Sequence, residues 1–423
     1  MSSTVESRYA GPTALPQAGG RRNQWVRFVA ASWGFCAFFP VGLMYLHLLV
    51  LLSVMAIAPH PAARWQRLRA SPLLLPLLLM LGWTVLAALV GGMFPETPTR
   101  IFHTVRVVLV IALALMLSRC EARHALGGFL AGALLACALV AANRLWGLPD
   151  WPIWSSLITP RNNFSSGNMI TLALAAGTFF CLALDAKARP AMRRLAVAGL
   201  TAAGVTVVLH AVSRNAQVLL AVVAMTAVVY RFRSLRAVIA GAVTVLLLVA
   251  AAWQFSPTIQ SRFAEVTSNL HAVEAKAMYN SSIGVRWRMY QEAYGEMARH
   301  PLLGTGVGSW SPYWKAVWAS LDQELSPEEF RRFAEINNPH NDYLLAGMET
   351  GVPGLLLLVW VFVQFMVTGW RRRSTAGAIT VMMALALAAT AMVNAPLRDA
   401  ALGMTLLWLL GASVAAQRES AHA

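Results

Sequence analysis

Residues 338–354, NPHNDYLLAGMETGVPG, place His340 directly before Asn341. Nine residues then lead to Gly351, and two more to Gly354. An imidazole with a pKa near 6.5 can be neutral at physiological pH and take a proton from an attacking hydroxyl. Asn338, Asn341 and Asp342 give this histidine polar neighbours, and a membrane-length apolar run follows it. The arginines are the second group that could do chemistry. Arg161, Arg214, Arg286, Arg288 and Arg398 all fall on the outer side of the topology derived below, and Arg106 lies inside an apolar run near its outer end. Guanidinium groups bind phosphate bidentately, which makes these residues a candidate clamp for a polyanion. The plainer readings are headgroup contacts and ion pairs. Arg288 and Glu292 have the i, i+4 spacing of an ordinary helix pair. Arg286 and Arg288 are two apart, so on a helix they point about 200° apart and one of them faces a site.

The sequence has no DxD, HExxH, cysteine cluster or phosphate-binding glycine loop. In this reading arginine neutralises the charge that a divalent cation neutralises elsewhere, and neither a metal nor a cofactor is expected. The chemistry that fits is transfer from a phosphate-activated lipid carrier. Arginines would stabilise a departing pyrophosphate, and His340 would activate the acceptor.

Such a site needs a membrane scaffold, and the composition supplies one. The 423 residues are 58% hydrophobic and 12% charged, against about 25% charged for a soluble domain. Long apolar runs of this kind must be helices, because in hydrocarbon each segment satisfies its own backbone hydrogen bonds. The formal charge of +16 is carried almost wholly by Arg, since Lys occurs only at 187, 276 and 315. Most of these arginines sit in short loops between apolar runs, which is an orientation signal and not the footprint of a nucleic-acid binder. The four cysteines (36, 120, 137, 181) avoid the long polar segment, so no structural disulfide is expected.

The expected architecture is all-α and polytopic, with about twelve transmembrane helices, both termini cytoplasmic and one large periplasmic helical loop. Residues 1–24 read as a disordered tail and 25–254 as spans one to nine, the first two forming a hairpin broken at Pro40–Gly42. Residues 255–350 read as the periplasmic loop with the histidine motif, 351–416 as spans ten to twelve, and 417–423 as a short tail. Residues 255–338 of the loop hold nine of the 18 acidic residues, so it mixes both signs and can fold. Within it, VRWRMYQEAYGEMAR reads as a helix stopped at Pro301, and a glycine-rich turn follows. Ser326-Pro327-Glu328-Glu329 reads as a helix start, with Ser as cap and Pro at the first position. Gly351 to Gly354 shape the entry into the next span.

His340-Asn341, nine residues, Gly351, two residues, Gly354 resembles the HN-x9-GxxG pattern of bacterial O-antigen ligases. HPLLGTGVGSW before the motif and the late large loop are similar too. The specific motifs cover residues 284–354. The resemblance implies a C-type membrane glycosyltransferase, metal-independent and inverting, in the bacterial inner membrane with its site on the periplasmic side. Such an enzyme joins O-antigen from undecaprenyl diphosphate to a sugar of lipid A–core. It implies His340, Arg288 and Arg214 as catalytic residues. Arg161, Arg286, Asn341, Asn338 and Arg106 are expected to bind the diphosphate or glycan. O-antigen polymerases and protein O-oligosaccharyltransferases share the lipid donor and remain the alternative, differing in acceptor. A transporter or flippase would place buried charge near the midplane of paired broken helices, whereas here the polar residues gather on one face.

Overall fold

The computed structural model describes residues 21–159, 163–211, 214–255, 260, 282–320 and 334–418, and these are helical with no strand among them. Of the expected N-terminal tail, residues 1–20 lie outside the described residues, whereas 21–24 open the first helix. The 326–329 helix start and the last five residues also lie outside the described residues. In chain order the helices are α1 (Arg21–Phe35), α2 (Val41–Ile57), α3 (Pro61–Arg69), α4 (Leu74–Val90), α5 (Thr97–Met116) and α6 (Arg119–Trp146). Next come α7 (Ser155–Ile158), α8 (Asn163–Ala183), α9 (Pro190–His210), α10 (Arg214–Phe232) and α11 (Leu235–Phe255). The last five are α12 (Ser282–Arg299), α13 (Trp310–Ala319), α14 (Asp342–Arg371), α15 (Thr375–Val393) and α16 (Ala400–Ala416).

The chain is an all-helical polytopic membrane protein. Among the described residues six helices are long and apolar enough to cross a bilayer, namely α5, α6, α9, α10, α14 and α15. A seventh arises if α2 and α3, bent by 116° at the break between them, form one span. Four further apolar stretches are shorter, in α4, α8, α11 and α16. The expected count of about twelve spans therefore exceeds what length and composition give, and the difference lies in these short helices and in the polar-fronted α1. The hairpin expected at Pro40 is present, with α1 ending in a 3-10 turn (Cys36–Phe38) and α2 starting at Val41.

The helix ends follow local chemistry. Ser118 and Glu121 form a capping box at the start of α6, satisfying two of its orphan backbone donors. Asp399 caps α16 by accepting from the Leu402 backbone N–H at 3.0 Å. Every α16 residue from Leu402 to Ala416 is buried, as befits a helix apolar on all sides. It packs against α5, α6 and α15 at the centre of the bundle, with Trp408 stacked on Trp33 at 4.7 Å. The α1–α6 pair is drawn together by Gly128 and Gly132. A Cβ on Gly128 would fall 2.0 Å from the Ala31 carbonyl oxygen, and one on Gly132 would fall 2.4 Å from that of Phe35. Without a hydrophobic drive between helices in lipid, such small-residue contacts let backbones approach and pack.

A second core stands apart from the bundle. Val285, Met289 and Ala293 on α12 recur every four residues, and Trp310, Trp314 and Trp318 do so on α13. These two apolar stripes close on Leu345 and Met348 of α14. Helix α14 thus begins in this small cluster and ends in the bundle. The change happens at Gly351, whose φ of 74° and ψ of −179° interrupt the helix. Three of the backbone groups freed by the break find partners. Trp83 Nε1 donates to the Thr350 carbonyl at 2.8 Å. The Thr305 backbone N–H donates to that of Met348 at 2.8 Å, and the Val352 N–H donates to the Pro301 carbonyl at 2.8 Å. Pro353 then sits in the first turn of the resumed helix, where its missing N–H has no partner to lose.

Only glycine adopts this φ/ψ combination readily, and other residues there carry about 1–3 kcal/mol of strain. A Cβ at 351 would also meet the Leu302 carbonyl oxygen at 2.3 Å. Gly351→Ala should therefore lower the unfolding temperature of the purified protein by several degrees, whereas Gly204→Ala, at a helical position with nothing within 4 Å, should leave it unchanged or raise it. Equal effects at the two positions would show that the break carries no strain for a side chain.

Candidate active site

The histidine motif is the cap of α14. Asn341 is the N-cap, its Oδ1 accepting from the backbone N–H of Tyr343 and of Leu344 at 3.0 Å each. Its Nδ2 donates to the Met392 carbonyl at 2.9 Å, at the end of α15. Asn338 holds the preceding turn, its Oδ1 accepting from the His340 backbone N–H at 2.9 Å. His340 lies between them with φ at 51°, a left-handed conformation uncommon outside glycine. Its backbone is pinned and its side chain is half-buried. The two asparagines expected to touch substrate are thus engaged in holding the histidine.

The surroundings of His340 set its charge. Burial and the nearby positive charge of Arg286 push its pKa below the usual 6.5, and a hydrogen bond to the Asn394 side chain opposes this only in part. The imidazole is therefore neutral at pH 7 and able to accept a proton. Tyr290, one turn beyond Arg286 on α12, donates its hydroxyl to the His340 carbonyl at 3.4 Å and to that of Met392 at 3.3 Å. Arg286 acts on both groups, so of the two α12 arginines it is the one beside the histidine. Arg288 is paired with Glu292 at 2.6 Å, as its spacing foretold, while its buried Nε has no hydrogen-bond partner among the described residues.

Arg106 is 1% exposed. It donates to the Tyr45 hydroxyl and the Leu397 carbonyl at 2.9 Å each and to the Arg398 carbonyl at 3.4 Å. Its guanidinium fixes the turn between α15 and α16, which is the far wall of the site. Arg214 is the first residue of α10, but its side chain lies outside what is described, and Arg161 lies wholly outside the described residues.

Sequence reasoning singled out only Arg398 of the turn at 394–399 and missed the rest of what the turn does. Besides Asn394 on His340, it supplies the Leu397 N–H, which donates to Asp342 Oδ2 at 3.0 Å. It also supplies Arg398, which lies 3.7 Å from Glu349 Oε2. Arg100 of α5 completes the charged floor, 2.9 Å from Glu96 and 3.3 Å from Glu349, and it also donates to the Asn337 carbonyl. Glu349 is 1% exposed, and removing one partner from such a buried pair costs about 3–5 kcal/mol. A cavity of about 60 Å³ opens between Arg100, His103, Asp342, Glu349 and Arg398. It has room for a few waters and not for a sugar. The available signal was spacing: Arg100, His103 and Arg106 recur every three residues in an apolar run, as do Asp342, Leu345 and Met348 beside Glu349. Among the described residues, no three His, Cys, Asp or Glu side chains gather as a metal site.

The arrangement sets a neutral, immobilised imidazole beside the Arg286 guanidinium, which has no ion pair among the described residues, above a rigid charged floor. It can deprotonate a hydroxyl and hold an anion beside it. The family model Wzy_C, described as O-antigen ligase, matches residues 199–359. No curated protein matches the chain. The matched segment carries Arg214, Arg286, Arg288, His340, Gly351 and Gly354, whereas Arg100, Arg106 and Arg398 come from outside it. The family indicates glycosyl transfer of the O-antigen ligation or polymerisation type, with polysaccharide and lipid substrates at a bilayer. The match over residues 199–359 thus supports the O-antigen ligase family for this chain.

Proposed function

We propose that this protein joins a polysaccharide, delivered on undecaprenyl diphosphate, to a sugar of lipid A–core at the periplasmic face of the bacterial inner membrane. In this reading His340 takes the proton from the acceptor hydroxyl as the oxygen attacks the anomeric carbon. The bond from that carbon to the diphosphate breaks, and the configuration inverts. Arg286 and Arg288 on α12, with Arg214 at the start of α10 and Arg161, hold the departing diphosphate. The charge on that leaving group grows in the transition state, so guanidiniums placed there favour the transition state over the bound donor. Asn338 and Asn341 position the base, and Arg106 positions the turn that faces it.

The observation that carries the reading is the state of His340. It is immobilised by its neighbours and kept neutral by burial and by Arg286, beside a family match that spans it. The HN-x9-GxxG spacing favours lipid A–core as acceptor over a protein or a growing polymer.

His340→Ala should abolish transfer in a reconstituted assay with lipid-diphosphate glycan and lipid A–core, while the protein still inserts and purifies. Ligation at the wild-type rate would remove the histidine from the chemistry. Because the folded pKa of His340 lies below its ordinary value, the base is competent at pH 7 and is lost only as the pH falls through that lowered pKa. The acid limb of kcat/KM should therefore have its midpoint below 6.5. Arg286→Gln removes a repelling charge and should move that midpoint upward, whatever it does to the maximal rate. An unmoved midpoint would mean that Arg286 does not act on the base.

Activity should also survive EDTA. A loss that Mg²⁺ restores would overturn the assignment of charge neutralisation to arginine.

A further inference from the structure

A second cavity, larger than the one beneath the histidine, lies away from it. It lies at the other end of α14, where Arg67 of α3, Arg372 after α14 and Arg418 after α16 come together with Gln66, Ser71 and Gln417. Its volume is about 470 Å³, and among the described residues no Asp or Glu lines it. The carboxylate of Glu121, whose charge reaches Arg67, is held bidentately by Arg64 at 2.9 and 2.7 Å, with both side chains buried. Arg67 donates one Nη1 bond to the Met116 carbonyl at 3.3 Å. Arg418 donates to the Leu117 carbonyl at 2.9 Å and to the Arg67 carbonyl at 3.2 Å. These bonds fix the guanidiniums without neutralising them. Burial and the adjacent Arg67 push the pKa of Arg418 down to about 10, the mark of crowded cations. The Gln417 Oε1 is buried and has no donor among the described residues.

The position of the cavity selects the class of anion. Twenty residues of α14 separate Gly351 from Arg371, roughly 30 Å at 1.5 Å per residue, which is about the thickness of a bilayer's hydrocarbon core. The cavity therefore sits at headgroup level on the face opposite His340. One wall is α3, turned 116° from α2. Its outer side carries Trp65, half-exposed, with the Arg69 guanidinium over its ring at 5.1 Å. An aromatic residue with an arginine on a short helix that breaks from its span is the pattern of a membrane–water boundary. Basic pockets between spans at that depth suit acidic headgroups.

We propose that this cavity is a binding site for an anionic phospholipid, with the phosphodiester between Arg67, Arg372 and Arg418 and a headgroup hydroxyl donating to Gln417. The proposal is independent of the glycosyl-transfer reading, because no residue of the histidine site takes part.

The test uses the purified full-length protein in a neutral detergent, titrated separately with phosphatidylglycerol, phosphatidylcholine and inorganic phosphate while thermal unfolding is followed. Phosphatidylglycerol should raise the unfolding temperature saturably, and the other two should not at the same concentrations. The double variant Arg67→Gln/Arg418→Gln should weaken the half-saturating concentration at least tenfold, while Arg69→Gln, outside the cavity, should bind as wild type. Should the double variant fail to fold, Ala63→Phe fills the cavity with the charges kept and should abolish the shift. An equal shift with inorganic phosphate would make the site one for small anions and overturn the lipid assignment. Undiminished phosphatidylglycerol binding by the double variant or by Ala63→Phe would overturn the site itself.

Discussion

The break in α14 at Gly351 is the constraint on which the rest of the structure depends. A helix entering hydrocarbon cannot leave backbone groups unpaired, yet this one changes direction where it joins the bundle. Three partners make that possible: Trp83 from α4, and Pro301 and Thr305 from the segment that follows α12. Each of them ties another part of the chain to the same point. The segment 301–305 anchors the α12–α13 cluster, and Trp83 anchors the bundle. The short first half of α14 is thereby fixed relative to both cores, and His340 stands at its tip.

A fixed tip makes the histidine's environment a property of the fold. The α15–α16 turn closes on it from the bundle side through Asn394, Leu397 and Met392, and Tyr290 and Arg286 close on it from α12. The floor beneath is rigid because its charges are buried and mutually held. Glu349 lies between Arg100 and Arg398, and Arg106 grips the carbonyls of the turn. Buried ion pairs of this sort contribute little net stability, since desolvation offsets their attraction. What they supply here is a unique geometry for the turn, and so for the group that faces His340.

How legible this was from the sequence follows from the range of each interaction. The helix of residues 282–299, the hairpin at Pro40 and the glycine-shaped entry at 351 depend on local pattern and backbone preference, and each was readable. So was the Arg288–Glu292 pair, which needs only helical spacing. The capping role of Asn341 was not readable, because a cap and a ligand use the same amide, and only the Tyr343 and Leu344 N–H groups reveal the cap. The roles of Arg100, Glu349 and Arg398 were not readable, because they depend on long-range pairing between α5, α14 and the turn at 395–399. The span count also depends on tertiary packing. α16 is short yet buried from Leu402 to Ala416, so its length says little about whether it meets lipid.

The two arginine-rich ends of the molecule show why composition alone cannot assign a function to a cation. Near the histidine, Arg100, Arg288 and Arg398 each have a carboxylate within ion-pair range, which leaves Arg286 as the cation that acts on the base. At the far end of α14 the carboxylate of Glu121 is taken by Arg64, and among the described residues Arg67 and Arg418 line their cavity with no Asp or Glu beside them. Positive charge toward one face orients a membrane protein during insertion, and a headgroup ligand there would use the same residues after folding. Insertion alone requires that such arginines lie on one side. It does not require them to converge on one cavity with an adjacent carboxylate withdrawn, and that convergence is the feature a bound anion would explain.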